Sequence, residues 1–317
     1  MGAIIYTFRD SAAPILAQLK KTPLWVVLAI CMCALLYDVV ESVITYILAR
    51  QYNPDFKFAK AMGNTFYCAF YRVATLGSGA GVAAVYYLNE NGVAVSQGFG
   101  MYMIEYALHK ISIAIFSGIF FLLNFGCMWE HFADYTWLMA AGYAITIIIT
   151  VVLVLFCSAK WFHDLLLRFL GLLNRKGKLD VLIAQLTEQC MMLEDAARRL
   201  LKKKKLVIET ILLNLLKAAF WYGIPYLIFV SHAQVTITET MAVTAMSVML
   251  AAVIPSPAGI GSTEFVFTAL FASIVGTGLA GSASLLYRFG TFVFPFLIGA
   301  VVVIVRRILI KRASSDL

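Results

Sequence analysis

Charge is scarce in this chain. Only 13% of its 317 residues are Asp, Glu, Lys or Arg and 62% are hydrophobic, where a soluble domain carries roughly 25% and 45–50%. A soluble core of this size has no room for so much apolar surface, which leaves lipid as the solvent. Histidine is scarcer still, four in all, and the six cysteines form no C-x-x-C pair. Cys31, Cys33, Cys68, Cys127, Cys157 and Cys190 fall mostly in apolar stretches. They read as small buried residues, not as disulfides or metal ligands. H-E-x-x-H, G-x-S-x-G and the phosphate-cradling P-loop are all missing, so metalloprotease, serine-hydrolase and ATP-driven chemistry have no motif to stand on. Ser78 and His109 are both present, but in no catalytic context. No cofactor is expected. A cleavable secretory signal is absent as well, so the first long apolar run, from Leu24 through Asp38 and Glu41, reads as a retained membrane helix.

What is present is length in the apolar runs. Leu138–Cys157 carries no charge, and Ile111–Leu123 extends a helix that begins near Phe99; about 20 such residues cross a bilayer. The pattern predicts an all-α, polytopic membrane protein forming a single domain over 1–317, with about six full spans near 23–49, 99–124, 132–158, 206–230, 235–254 and 282–310. Residues 1–21 read as an interfacial helix, and 276–281 as a glycine-rich turn. Between the two halves, about 22–158 and 206–312, lies a basic connector. From Lys160 to Lys205 it holds eleven Lys/Arg against five Asp/Glu, out of a net charge of +8 for the chain. Phe162, Leu165, Leu166, Phe169, Leu170 and Leu173 recur there at amphipathic helical spacing. After a turn at Asn174–Lys178, a second helix is expected over about 180–205. Basic loops mark the cytoplasmic side, so 160–205 and the C-terminus are expected inside, with anionic lipid headgroups as partners. Interleaved aromatics and a nucleic-acid-reading fold are lacking, so no nucleic-acid partner is expected for this chain alone. Assembly as a homo-oligomer stays open.

Two stretches break the pattern. Gly77-Ser78-Gly79-Ala80-Gly81 cuts the apolar run 58–97, and Pro255-Ser256-Pro257-Ala258-Gly259-Ile260-Gly261 precedes a short apolar segment ending at Val275. The shared G-x-G core suggests an internal two-fold repeat, and interrupted segments in both halves are the mark of transporters. Each break either crosses as a broken span or returns as a re-entrant hairpin. Irregular backbone at membrane depth must line water or be buried in protein, and the half-helix N-terminus that follows offers unpaired N–H groups to an anion. Close packing of helices is the other use of such glycines. Charges inside the spans are the second clue, since each costs about 2.5–3.5 kcal/mol at a helix centre. Arg72 and Arg288, with Gly77, Gly79, Gly81, Pro257, Gly259, Gly261 and Ser262, are candidates for holding phosphate. Asp38, Glu41, Glu105 and Glu264 are candidates for a cationic group. The same charges have a second use as helix-tying pairs, Glu264 with Arg288 for example. Lys110 and Lys217 read as snorkelling residues, and His109 as a packed one.

The segment Pro255–Glu264 resembles the P-x-P-G-G-x-G-x-x-E element of the lysylphosphatidylglycerol synthase/flippase transmembrane family. Leu285-Leu286-Tyr287-Arg288, Phe294-Pro295 and Gly299 are similar to that family's ending. Gly81 through Val95, with Tyr86-Tyr87-Leu88 and Asn91-Gly92-Val93, resembles its other signature. The resemblance runs over most of the chain. Two positions depart from it: Ala258 stands where glycine is usual, and Leu76 where a proline commonly precedes the first glycine cluster. The resemblance implies a membrane module that moves an anionic or aminoacylated phospholipid, such as lysylphosphatidylglycerol, between leaflets of the cell membrane. Resistance to cationic antimicrobial peptides would follow. Full-length relatives add a cytosolic domain that transfers lysine from lysyl-tRNA to phosphatidylglycerol; 160–205 is too short to be one, so lysyltransfer by this chain alone is not expected. Service as the membrane component of such a synthase, beside a separate aminoacyl-lipid transferase, and transport of a prenyl-phosphate-linked sugar remain alternatives.

Overall fold

The computed structural model describes residues 12–133, 136–174, 179–233, 235–254 and 256–315. Residues 1–11 of the expected interfacial helix, Pro255, residues 175–178 of the expected turn and the side chains beyond Leu309 lie outside the described set. Every described element is helical, as apolar backbone demands where no water can satisfy its N–H and C=O groups. In chain order they are α1 (Ala12–Lys21), α2 (Leu24–Ala49), α3 (Phe58–Ala74), α4 (Ala80–Glu90), α5 (Val95–Leu123), α6 (Phe125–Phe132), α7 (Thr136–Ser158), α8 (Lys160–Leu173), α9 (Asp180–Leu200), α10 (Lys204–Tyr222), α11 (Ile224–Phe229), α12 (Ile237–Val253), α13 (Ser262–Val275), α14 (Thr277–Arg288) and α15 (Phe294–Ser315). A π-helical turn, Phe289–Val293, joins the last two.

Among the described residues, five segments are long and apolar enough to cross a membrane: Leu24–Ala49, Val95–Leu123, Ala140–Ser158, Lys204–Phe229 and Thr277–Leu309. The sixth expected span is α12, which a capping box between Thr236 and Glu239 starts cleanly. Its 17 residues rise about 26 Å. The last span begins earlier than the glycines suggest. Gly276, in the left-handed region at φ +82°, reverses the chain by itself, and Gly278 and Gly281 continue as helix. Gly81 likewise belongs to α4 and not to the break before it.

The first break is a hairpin. Gly63 lies against the Tyr87 hydroxyl and the Tyr67 and Tyr87 rings are 5.3 Å apart, so α4 runs back along α3. At one end of the bundle the loop leading into α3 meets the connector, and the end of α4 meets the C-terminal helix. Lys203 Nζ donates to Gln51 Oε1 at 2.6 Å, the Arg199 guanidinium lies 4.8 Å from the Tyr52 ring, and Arg306 pairs with Glu90. The arms of the second break, α12 and α13, reach the opposite end. There Thr238 Oγ1 donates to Asn124 Oδ1 at 3.1 Å, and Ile274 and Val275 join Met128, Phe132 and Phe229 in one apolar cluster. A second cluster, including Ile44, Leu48, Leu193 and Leu200, fills the basic end.

The halves repeat one another. α2, α3–break–α4 and α5 have lengths of 26, 17, 11 and 29 residues. The counterparts Lys204–Phe229, α12–break–α13 and Thr277–Leu309 have 26, 17, 14 and 33. Packing is reciprocal: α3 lies on α15, α12 on α5, and α2 on α10. The hairpins enter from opposite ends and their tips meet, Gly77 (φ +96°) against the Ala258 backbone.

Candidate functional site

Between the two apolar clusters, four helices turn their polar faces to a common space. Helical spacing does this: Asp38, Glu41 and Thr45 on α2, Thr65, Cys68 and Arg72 on α3, Tyr102, Glu105 and His109 on α5, and Lys217 and Trp221 on α10 each recur every three or four residues. They line a cavity of about 380 Å³, which Gly77 of the first break, Ala80 at the start of α4 and Ala258 of the second break also touch. Asp38, Glu105 and Lys217, 4%, 7% and 2% exposed, form its floor. Arg72 and Tyr106 are exposed and Lys110 is half-buried at its rim.

One ion pair holds the floor: Lys217 Nζ binds Glu41 Oε2 and stands 5.3 Å from the Tyr37 ring, which stacks on Trp221 at 3.6 Å. His109 Nδ1 meets Asn214 Oδ1 at 3.1 Å, while Asn214 Nδ2 donates to the Thr210 carbonyl at 2.9 Å. With the Asn214 oxygen as acceptor, His109 carries its proton on Nδ1. The remaining groups are unsatisfied. Asp38 Oδ2, Glu105 Oε1 and Trp221 Nε1 are buried without a hydrogen-bond partner. Arg72 and Lys110 carry no ion pair among the described residues. Buried polar groups in native proteins find partners, so the open acceptors of Asp38 and Glu105 and the Trp221 donor are free for whatever fills the cavity, water included.

Of the residues singled out in the sequence, Asp38, Glu41, Arg72, Gly77 and Glu105 come together here, with His109, Lys110 and Lys217. Lys217 does not snorkel; it is among the largest fully buried side chains of the described residues. Pro257, Gly259, Gly261, Ser262, Glu264 and Arg288 stay outside the lining and brace the second break. Arg288 Nη2 donates to the Ala258 carbonyl at 3.1 Å, its Nε lies 3.2 Å from Glu264 Oε1, and its guanidinium packs 3.9 Å from the Phe292 ring centroid. Glu264 Oε2 in turn accepts the Gly261 N–H at 2.9 Å. That donor is thereby spent inside the protein. In the first break Gly79 N–H is spent similarly, on Thr75 Oγ1 at 2.7 Å. Helical bonding resumes only with Ala83 N–H, which leaves the amides of residues 80–82 without intrahelical acceptors. Sequence reading missed Tyr102, Asn214 and Trp221, whose signal is the i, i+3/i+4 recurrence with Glu105 and Lys217.

The fold and its charge-lined interior define a polytopic helical membrane protein with a polar cavity between its two inverted halves. Residues 1–299 match the family model described as the lysylphosphatidylglycerol synthase TM region, and the chain belongs to that family. It is thus a membrane domain of a lipid-related family. No curated protein matches the chain.

Proposed function

We propose that the chain carries the headgroup of an anionic or aminoacylated phospholipid, such as lysylphosphatidylglycerol, between leaflets while the acyl chains stay in the bilayer. The observation that carries this reading is the pairing of opposite unmet charges in one cavity at membrane depth. Arg72, Lys110 and the N-terminal amides of α4 suit a phosphate. Asp38 and Glu105 suit an ammonium group. Glu41 and Lys217 hold the floor, and Arg288 and Glu264 position the second break without touching substrate. The concentration of Lys and Arg at one end of the bundle supports a cytoplasmic location for that end, in the cell membrane. There α8, exposing Trp161, Leu165, Phe169 and Leu172 beside Lys160 and Arg168, suits a helix lying on the anionic leaflet. Resistance to cationic peptides would follow from exposing a cationic lipid outside.

The test is outward exposure of lysylphosphatidylglycerol in proteoliposomes, read with an impermeant amine-reactive probe. Protein-dependent exposure that falls at least tenfold in both Arg72→Ala and Glu105→Gln is expected. Exposure no faster than in empty vesicles, with folded protein, would refute translocation. Wild-type rates in both variants would refute the site.

A further inference from the structure

A second and larger space, about 730 Å³, lies outside the central cavity between α3, α4 and α15. Arg306 and Arg307 stand at its basic end, and Ser78 and Gly79 of the first break close the other. The wall between is apolar: Val82 is 74% exposed, Tyr86 53%, with Val303 opposite. The two arginines differ. Arg306 is held by Glu90 among the rings of Tyr67, Tyr87 and Tyr86 at 4.8, 5.1 and 5.6 Å. Arg307 is exposed and has no ion-pair partner among the described residues.

The length of the groove is informative. The 11 residues of α4 rise about 16 Å, close to half of a hydrocarbon core about 30 Å thick. A groove along α4 therefore reaches from headgroup level to the bilayer midplane. It ends on the turn that also bounds the central cavity: Thr75, Ser78 and Gly79 face the groove, while Gly77 and Ala80 face the cavity. One short turn separates the two.

We propose that this groove seats one phospholipid of the leaflet at the basic end, its phosphate on Arg307 and an acyl chain along Val82, Tyr86 and Val303. Its use as a loading station for the cavity rests on the translocase reading; the lipid binding does not. Charge complementarity, apolar walls and a length of one leaflet all select a phospholipid over a soluble anion.

The experiment uses the full chain in proteoliposomes containing phosphatidylglycerol with a photoactivatable diazirine in one acyl chain. Adducts mapped by mass spectrometry are expected to concentrate on residues 82–86 and 303–307, above the level on the exposed Ile148, Ile149, Val151 and Val152 of α7. Arg307→Ala should lower groove labelling roughly fivefold, the weight of one basic residue beside a phosphate, and leave α7 labelling unchanged. Val82→Trp, which fills the groove, should lower it too. Groove labelling no higher than that of α7, or unchanged in both variants, would overturn the proposal. Specific labelling without headgroup transport by the same protein would uphold the groove and remove translocation. Transport without groove labelling would do the reverse.

Discussion

Replacing Lys217 by methionine asks how the floor of the cavity is held. Methionine keeps the length of the side chain and removes the ammonium. Lys217 is 2% exposed and its Nζ is bound to Glu41, whose side chain is 29% exposed, with Asp38 and Glu105 lining the same cavity. Removing one member of a buried pair costs about 3–5 kcal/mol because the other charge is left behind, while removing both together is often neutral. The partial exposure of Glu41 argues for the lower end. Lys217→Met is therefore expected to lose about 3 kcal/mol and Glu41→Gln a similar amount. The double variant should return to within about 1 kcal/mol of the parent, which against two losses of about 3 kcal/mol is a coupling of about 5 kcal/mol. Equilibrium unfolding of the four proteins in mixed micelles measures this cycle. If Lys217→Met is as stable as the parent, or the double variant is as unstable as the sum of the singles, the pair does not hold the floor.

Two further outcomes are expected in the same assay. Arg288→Lys keeps a charge for Glu264 but cannot also hold the Ala258 carbonyl and cover the Phe292 ring, so a loss of about 1–2 kcal/mol is expected; unchanged stability would show that the second break needs no brace. Gly299→Ala places a methyl group into the Phe66 carbonyl oxygen where α15 crosses α3, which should cost about 1–3 kcal/mol through forced separation of the helices.

Much of this was legible in the amino-acid order, for physical reasons. Long uncharged runs of this length read as spans, and the interrupted runs in both halves marked the two breaks but not whether each crosses or returns. The carboxylates Asp38, Glu41 and Glu105 and the cation Arg72 stood out because each is costly in lipid. Sequence offered Glu264 with Arg288 as an example of a pair, as the structure has it, but could not decide for each charge between pairing and lining a cavity. Glu264 and Arg288 carry the same cost as Asp38 and Arg72, yet the first two neutralise each other beside a loop and the second two line a cavity. That distinction depends on contacts between α13 and α14, not on spacing along either. Lys217 was misread for the same reason: a lysine stem can snorkel or sink, and only the presence of Glu41 across from it decides.

The two departures from the family pattern fall on the two strained residues of the chain. Leu76 and Ala258 are the only non-glycine residues at positive φ among those described, both at +54°, where a side chain costs about 1–2 kcal/mol. They sit at corresponding places, one in each break, and the second packs on Gly77 of the first. The sharp reversal at each tip is thus imposed by the surrounding fold rather than by local preference. Reciprocal packing of α3 on α15 and of α12 on α5 supplies that constraint, because each hairpin is clamped by the long helix of the opposite half. Strain at a site held from outside is stored where two states of similar energy are useful. Under the proposed translocation, the two inverted hairpins meeting tip to tip beside the charge-lined cavity are the elements whose movement would open it to either end of the bundle.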